Sequence, residues 1–173
     1  MHSFTELVDR CAAFTLGALS EANGRTIDAL QTSAATPLVK VLQMIQLQKA
    51  ILAVGMFSLF DATLQDSLGV DNGFKEASII LESEGQNHLN ERFKNLQLAI
   101  NVLKHGEGRS YDSLVAKAGT LPFRVKLPGD AFFFEGDVSE VSTLIKADDA
   151  FVLMCADVIR EVSEVINNAV RRI

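Results

Sequence analysis

Asn101, Lys104 and His105 are polar residues whose types and spacing could support acid–base chemistry. They lie in the stretch "INVLKHGEGRSYDSL", which holds one of the three histidines of the chain. An imidazole titrates near neutral pH and can move protons, and an ammonium group can stabilise the charge of a phosphate. We therefore take these three as candidate catalytic residues, with Arg109 and Lys94 as candidate ligand-binding residues.

The helix that should carry these residues is marked by a regular apolar seam. Apolar side chains spaced 4, 3, 4 and 3 positions apart predict a helix from Gln86 to His105, with Gly106 as its stop: Leu89, Phe93, Leu96, Ile100 and Leu103. At about 100° per residue the candidate residues lie away from this seam, as does Lys94. Leu98 falls beside His105, which indicates that an insertion of the chain or a second subunit covers this face.

Two simpler interpretations of the same residues stay open. A polar face on a helix is commonly just solvated. His105 is also in the last helical turn, where unpaired carbonyl groups and the negative end of the helix dipole favour an imidazolium. The histidine could therefore be a C-terminal cap with no part in chemistry.

The composition is that of a globular protein and limits the classes of partner. The chain has 173 residues, 48% of them hydrophobic, with 16 basic and 22 acidic side chains and a net charge of −6. This balance argues against long-range attraction to nucleic acid or to an anionic membrane. A local basic patch is still allowed, and Lys104, Arg109, Arg124 and Lys126 could form one.

The targeting signals expected of a secreted or membrane protein do not stand out in the sequence. The first ten residues lack the basic and apolar pattern of a signal peptide. The most apolar run, Ala50 to Phe60, is well short of the ~20 residues that cross a bilayer. We expect a single helical-bundle domain over residues 1–173, located in the cytoplasm and without a membrane partner.

The cysteines and carboxylates predict neither a metal site nor a cofactor. Cys11 and Cys155 are the only cysteines and are far apart in the chain, so we expect two buried thiols. A carboxylate-bridged metal site in a helical bundle would need Glu-x-x-His pairs on two helices. The nearest match, Glu84 with His88, has the wrong spacing and contains Gly85.

Cap residues and apolar patterns predict an all-α fold, an up-and-down bundle of four to five helices. The first helix should begin near Ser3, and the third near Asp71 or Asn72. The last helix should follow Asp148 and run to the C-terminus.

The second helix should be the central one. Thr36 is its predicted cap, Pro37 fits its first turn, and Gly69 should end it after Leu68. Between Ala50 and Phe60 it is apolar on all sides apart from one serine, which is typical of a helix enclosed by others.

About 40 residues before the last helix form an irregular insertion. A short helix is expected from Ser110 to Ala118. Phe123, Val125 and Leu127 then alternate with basic residues, which favours an extended segment. It could pair with residues 131–134 in a short β-hairpin lying over the bundle. Loops of this length are usually functional or disordered, and the many phenylalanines argue against disorder.

The run "NVLKHG" at the end of a late helix resembles the signature of the HEPN superfamily, an Arg usually followed by Asn, with a His four to six residues on. Asn101, His105 and Gly106 match, whereas Ile100 stands in the arginine position. The resemblance implies a helical homodimer in which two motifs face each other across a cleft. In active members such a pair cleaves RNA without metal, and here the positive charge would have to come from Lys104 or Arg109.

Two functional hypotheses follow. The first is a HEPN-like domain that binds RNA or a nucleotide, or regulates a partner protein encoded nearby, in a setting of bacterial defence or toxin–antitoxin pairs that only the resemblance implies. If the domain is active, it is a metal-independent ribonuclease. The second is a non-catalytic helical protein–protein interaction module, in which His105 is a cap and the insertion supplies the docking surface.

Overall fold

The computed structural model describes residues 4–33 and 35–172, and the fold in these residues is all-helical. The helices and a single 3₁₀ turn (Ala118–Thr120) follow in the order α1 (Phe4–Leu30), α2 (Thr36–Leu68), α3 (Gly73–Ser83), α4 (Asn87–His105), α5 (Arg109–Val115) and α6 (Asp149–Val170). The all-α prediction is confirmed, but this part of the chain has six α-helices rather than four to five. The predicted start at Ser3 lies outside the described residues.

The helix boundaries follow local signals in the sequence. The side chain of Asn72 accepts a hydrogen bond from the Lys75 amide at the start of α3, and Asp148 accepts one from the Phe151 amide at the start of α6. At the end of α2, Gly69 has a φ of 66°, a left-handed conformation that favours glycine. These boundaries were predicted correctly.

The start of α2 differs from the prediction by one residue. Ala35 occupies the cap position and makes no side-chain hydrogen bond there, so Thr36 is the first residue of the helix. Proline remains in the first turn, where its missing N–H costs no hydrogen bond.

The last helix, α6, lies at the centre of the structure. It packs against α1, α2, α3 and α4, and eight of its side chains are buried: Phe151, Val152, Cys155, Ala156, Val158, Ile159, Val162 and Ile166. A cluster of four phenylalanine rings from α2, α3 and α4 extends the core, with centroids 5.3–6.3 Å apart: Phe57, Phe60, Phe74 and Phe93. The core is therefore organised around α6 and this cluster.

The prediction that other helices enclose α2 is wrong. Ala53 and Phe57 are fully buried, but Ile51 and Leu59 in the same apolar stretch are exposed. The helices that pack with α2, which are α1, α3, α4 and α6, leave the side that carries Ile51 and Leu59 uncovered. Among the described helices, α2 alone is long and apolar enough to span a membrane by length and composition, and 33% of its most apolar window is buried.

The segment over residues 121–148 is irregular, and its pairing differs from the predicted hairpin. Val125 forms an isolated antiparallel bridge with Ile145, and the described residues contain no strand. The expected hairpin with residues 131–134 is not formed, because those residues instead wrap around the side chains of Arg124 and Lys126. The short helix α5 also begins one residue earlier and ends three residues earlier than expected.

The two cysteines have different environments. Cys155 is buried in α6, and this burial raises the pKa of its thiol well above the usual range. Cys11 is exposed on α1. The prediction of two buried thiols is therefore wrong for Cys11, which lies on the outer side of its helix.

Candidate functional site

The end of α4 and the start of α5 form one corner of the molecule. Gly106 has a φ of 74° and its amide donates to the carbonyl of Val102 at 2.8 Å, which ends α4 after His105. Gly108 has a φ of 150° and precedes α5, which packs back against α4. Both glycines adopt backbone conformations that other residues rarely reach, so this tight reversal depends on the "GEG" sequence.

Four of the predicted site residues are exposed at this corner: Asn101, Lys104, His105 and Arg109. We refer to them as the α4–α5 corner. Among the described residues, neither Lys104 nor Arg109 forms an ion pair, and the His105 imidazole has no hydrogen-bond partner. The side chains of this corner are therefore available to a ligand.

The charge around the corner is mixed rather than strongly positive. Tyr111 follows in α5, buried, and donates a hydrogen bond from its hydroxyl to the carbonyl of Lys126 at 2.7 Å. Burial raises the pKa of Tyr111, and the negative charges of Glu107, Asp130 and Asp112 raise it further. Acidic groups thus lie close to Tyr111, and two of them, Glu107 and Asp112, are within three positions of Arg109 in the sequence, so long-range attraction of an anion to this corner is weak.

Lys94 does not belong to the α4–α5 corner. Its ammonium lies 2.8 Å from the carboxylate of Glu82 on α3, and this contact lowers the pKa of Glu82. Lys94 also precedes His105 by 11 positions, or about 16 Å along a helix, so the two side chains cannot bind one small ligand. The structure does not bring Lys94 together with His105, and the ligand-binding role expected for Lys94 stays a prediction.

The apolar neighbours of the corner pack inside the chain, as the apolar seam predicts for Ile100 but not for Leu98. Ile100, which stands in the arginine position of the HEPN signature, is 4% exposed and lies in the core. Leu98 is half-buried and packs against the core of the same chain. The inference that an insertion or a second subunit must cover Leu98 is therefore not needed.

The basic patch that could have joined the corner is not formed. The ammonium of Lys126 is buried 4.8 Å from the ring centroid of Phe133, and its nearest carboxylate is Glu140 at 3.9 Å. The Arg124 guanidinium stacks 4.5 Å from the ring of Phe134 and donates to the carbonyl of Phe133. These two cations hold the 121–148 segment together and are not available for a ligand.

The carboxylates considered for a metal site have other structural roles. Asp61 accepts a hydrogen bond from the Phe74 amide at the start of α3, and Glu84 pairs with Arg172 at 2.9 Å. Within residues 4–33 and 35–172, no three His, Cys, Asp or Glu side chains are grouped so that they could hold a metal ion.

The structure has two concave surfaces that the sequence did not predict. One is a cavity of about 300 Å³ between α1, α2 and the 121–148 segment. Many of its polar groups form hydrogen bonds with each other. For example, the Gln46 side chain donates to the Ser139 hydroxyl and accepts from the Val141 amide. The other is an apolar groove between α1 and α2. The spacing of Leu7, Cys11 and Phe14 on α1 was the signal that could have revealed it.

The α4–α5 corner is the part of the predicted site that the fold keeps together. It can offer amide and imidazole hydrogen bonds and two positive charges to an anionic ligand. Neither of the two concave surfaces is lined by Asn101, Lys104 or His105. Comparison of the chain with protein-family models, curated proteins and solved structures finds no match.

Proposed function

We propose that this protein is a HEPN-like helical domain that binds single-stranded RNA through the α4–α5 corner without cleaving it. The observation that carries the proposal is the exposure of four polar side chains at the α4–α5 corner, two of which match the signature (Asn101 and His105) and two of which are cations unpaired in the described chain (Lys104 and Arg109). The resemblance of "NVLKHG" to the superfamily signature is the reason for proposing RNA as the ligand.

A strand of RNA fits this corner better than a free nucleotide. A mononucleotide is usually held in a concave pocket that buries most of its surface, whereas the phosphates of a strand are contacted on an open surface. The four side chains of the corner are all exposed at the reversal between two helices, and none of them lines either of the two concave surfaces described above. We therefore assign Lys104 and Arg109 to phosphates, and Asn101 and His105 to hydrogen bonds with the strand.

Binding without cleavage follows from the position of Ile100. Phosphodiester cleavage needs a base, an acid and positive charge fixed on the reacting phosphate. Ile100 supplies no charge and points into the core. The side chains of Lys104 and Arg109 form no hydrogen bond or ion pair in the described chain that would fix them. The corner thus has groups for recognition but lacks a preorganised site for the transition state.

The expected affinity is modest and depends on salt. Two cations on phosphates of a single strand correspond to a slope of about −1.4 for the logarithm of the association constant against the logarithm of salt concentration. The net charge of −6 adds no long-range attraction. A steep slope would mean that other basic groups bind the strand.

The proposal is tested by fluorescence anisotropy with a labelled single-stranded RNA at low salt. Each charge-assisted hydrogen bond contributes about 1.5–3 kcal/mol, so Lys104→Ala and His105→Ala should each raise Kd about tenfold or more. Lys75→Ala is the matched control, because Lys75 is an exposed lysine on α3 without an ion pair in the described chain. Absence of binding by the parent, or equal loss in all three variants, would refute the proposal.

The same RNA separates binding from cleavage. On a denaturing gel the strand should stay intact with the parent protein, whether or not a chelator is present. Cleavage by the parent that disappears in His105→Ala would overturn the non-catalytic part of the proposal and indicate a metal-independent ribonuclease instead.

We also propose a second candidate function, docking of a partner protein on the 121–148 segment. The observation that favours it is that three apolar side chains of this segment are exposed on a scaffold fixed by Arg124 and Glu140: Phe132, Phe134 and Val138. Under this alternative, Phe132→Glu should abolish binding of a purified partner encoded nearby, and His105→Ala should leave it unchanged.

A further inference from the structure

An apolar surface runs along the outer side of α1 and α2, and the described chain leaves it uncovered. Six of its large side chains are between 47% and 80% exposed: Leu7, Phe14, Met44, Leu47, Ile51 and Leu59. We call this surface the α1–α2 face. Monomeric proteins rarely expose a contiguous apolar patch of this size unless it binds something.

The residues of α1 show that this face has the pattern of a second packing surface. Leu7, Cys11, Phe14 and Ala18 are exposed and follow one another at spacings of 4, 3 and 4. A separate set packs inward against the protein: Val8, Ala12, Leu16 and Leu19. A helix with two such stripes is built to contact neighbours on two sides, and the described chain covers one of them.

The face carries both a projecting side chain and a groove. Among the described residues, Phe14 is the most exposed large apolar side chain, at 80%. The groove, about 850 Å³, lies between Leu7 and Cys11 of α1 and Ile51 and Leu59 of α2, and Gly55 forms part of its lining. A Cβ placed on Gly55 would meet nothing within 4 Å, so this lining is open to a side chain from outside.

The size of the face matches half of a stable dimer. If a fully exposed side chain of these types offers about 200 Å², the six side chains together present roughly 700 Å², close to the ~800 Å² per partner of a standard interface. From Val41 to Phe60 the only charged residue is Lys49, whose ammonium is bonded to Asp149 at 2.6 Å. Depletion of charge in the centre of the patch is typical of protein–protein interfaces.

We propose that the α1–α2 face binds a second copy of this chain about a two-fold axis, with Phe14 of each copy in the groove beside Gly55 of the other. A two-fold interface uses the same surface on both partners, so each projection on that surface must fit a depression on the same surface of the other copy. The α1–α2 face does so, because the projection and the groove lie on one face. An anionic membrane would instead favour a basic rim, whereas here Arg10 is paired with Glu6 at 2.8 Å and Asp66 borders the groove.

Sedimentation equilibrium of the full chain over micromolar concentrations tests the proposal. The parent should sediment at twice 18.8 kDa, and Phe14→Glu should weaken self-association at least tenfold. The variant should fold, because Phe14 is almost entirely exposed. Ile79→Glu is the matched control: it introduces the same charge at an exposed apolar side chain of α3, outside the face, and it should sediment as the parent does. A parent mass of 18.8 kDa, or a Phe14→Glu variant that associates as the parent does, overturns the proposal.

Two further measurements distinguish a second copy on this face from a membrane and from a dimer formed through the α4–α5 corner. In flotation with phosphatidylcholine–phosphatidylglycerol vesicles the parent should stay in solution, and vesicle binding that Phe14→Glu abolishes would assign the face to a membrane. Packed helices lie about 8–10 Å apart, so a short bis-maleimide should join Cys11 to Cys11 of the second copy in the parent. Efficient joining instead through a Cys11→Ser/His105→Cys variant would place the interface at the α4–α5 corner.

Discussion

Ile100 and His105 lie five positions apart on α4 and have opposite environments, because Ile100 is in the core and His105 is exposed to solvent. Five residues rotate a helix by about 140°, so one side chain cannot join the other at the surface. A residue at position 100 is therefore directed away from the ligand that His105 would bind. In this protein, positive charge for a phosphate has to come from Lys104 and Arg109.

The aromatic cluster provides a test of the core. Phe93 is fully buried between Phe57, Phe60 and Phe74, whereas Phe14 on α1 is largely exposed. Phe93→Ala should lower the free energy of unfolding by about 3–5 kcal/mol, because it removes a large buried ring and leaves a cavity. Phe14→Ala should change it by less than about 1 kcal/mol under conditions where the chain is monomeric. Urea denaturation measures both, and a loss below about 1 kcal/mol for Phe93→Ala would contradict this packing of the rings.

The two thiols should react differently. Cys11 is exposed, and the thiol of Cys155 is buried with a raised pKa, so little thiolate is available there. A maleimide at neutral pH should label Cys11 in the native monomer within minutes and label Cys155 only after denaturation. Peptide mapping of the labelled chain identifies the sites. Rapid labelling of Cys155 in the native protein would show that α6 is more accessible than the structure indicates.

Tyr111 predicts a loss of stability at high pH. Its folded-state pKa is raised above the ordinary value of 10.0, so the folded chain holds the phenolic proton more tightly than the unfolded chain does. The resulting contribution is fully present below pH 10.0 and is lost as the pH rises through the folded-state pKa. The chain has one tyrosine and no tryptophan, so phenolate absorbance follows this residue alone. A titration midpoint at or below the ordinary value would contradict the buried position.

The variant Tyr111→Phe distinguishes the contribution of the Tyr111 hydrogen bond to stability from the contribution of its raised pKa. The hydroxyl donates to the buried carbonyl of Lys126, and Tyr111→Phe removes that donor. We expect a loss of about 1–2 kcal/mol in unfolding free energy at neutral pH. The difference from the parent should shrink above pH 10.0, where the parent loses its own stabilisation. Denaturant unfolding at several pH values measures it, and a difference that stays constant with pH would contradict a raised pKa for Tyr111.

Local signals predicted the helix ends well. Gly69 and Gly106 end α2 and α4 because a left-handed residue is easiest for glycine, and Asp148 caps α6 through its own side chain. Such signals depend only on residues three or four positions apart, so they can be identified in the sequence without knowledge of the tertiary structure. The cap of α2 shifted by a residue because Ala35 takes that position without a side-chain bond.

Tertiary relations could not be predicted in the same way. An apolar stretch all round α2 shows that its sides avoid water, but it does not show whether the neighbour belongs to the same chain. Cys11 belongs to a stripe with the same 4 and 3 spacing as the buried stripe beside it, so periodicity alone could not tell which one faces the core. The bridge between Val125 and Ile145 joins residues far apart in sequence, and neither end signals its partner.

The candidate site was predictable only as far as one helix extends. The spacing of Asn101, Lys104 and His105 guaranteed a common region of α4, and the structure keeps them exposed together. The ion pair of Lys94 could not be predicted, because its partner Glu82 lies on α3 and the residue spacing within one helix does not show its contacts with another helix. The expected basic patch is missing Arg124 and Lys126 because both cations stack on aromatic rings of their own segment. Residue spacing did not show these contacts either.

The most direct test of RNA binding at the α4–α5 corner is long-range ¹H–¹⁵N correlation spectroscopy of the histidine side chains during titration with single-stranded RNA. The chain has three histidines, and assignment by His88→Gln and His105→Gln variants identifies two of them. His88 lies at the opposite end of α4, about 25 Å from His105 along a helix, and is an exposed internal control. We predict that the His105 imidazole signals shift in a saturable and salt-sensitive manner while those of His88 stay in place. RNA binding that leaves His105 unshifted, or that shifts His88 instead, would contradict recognition at this corner.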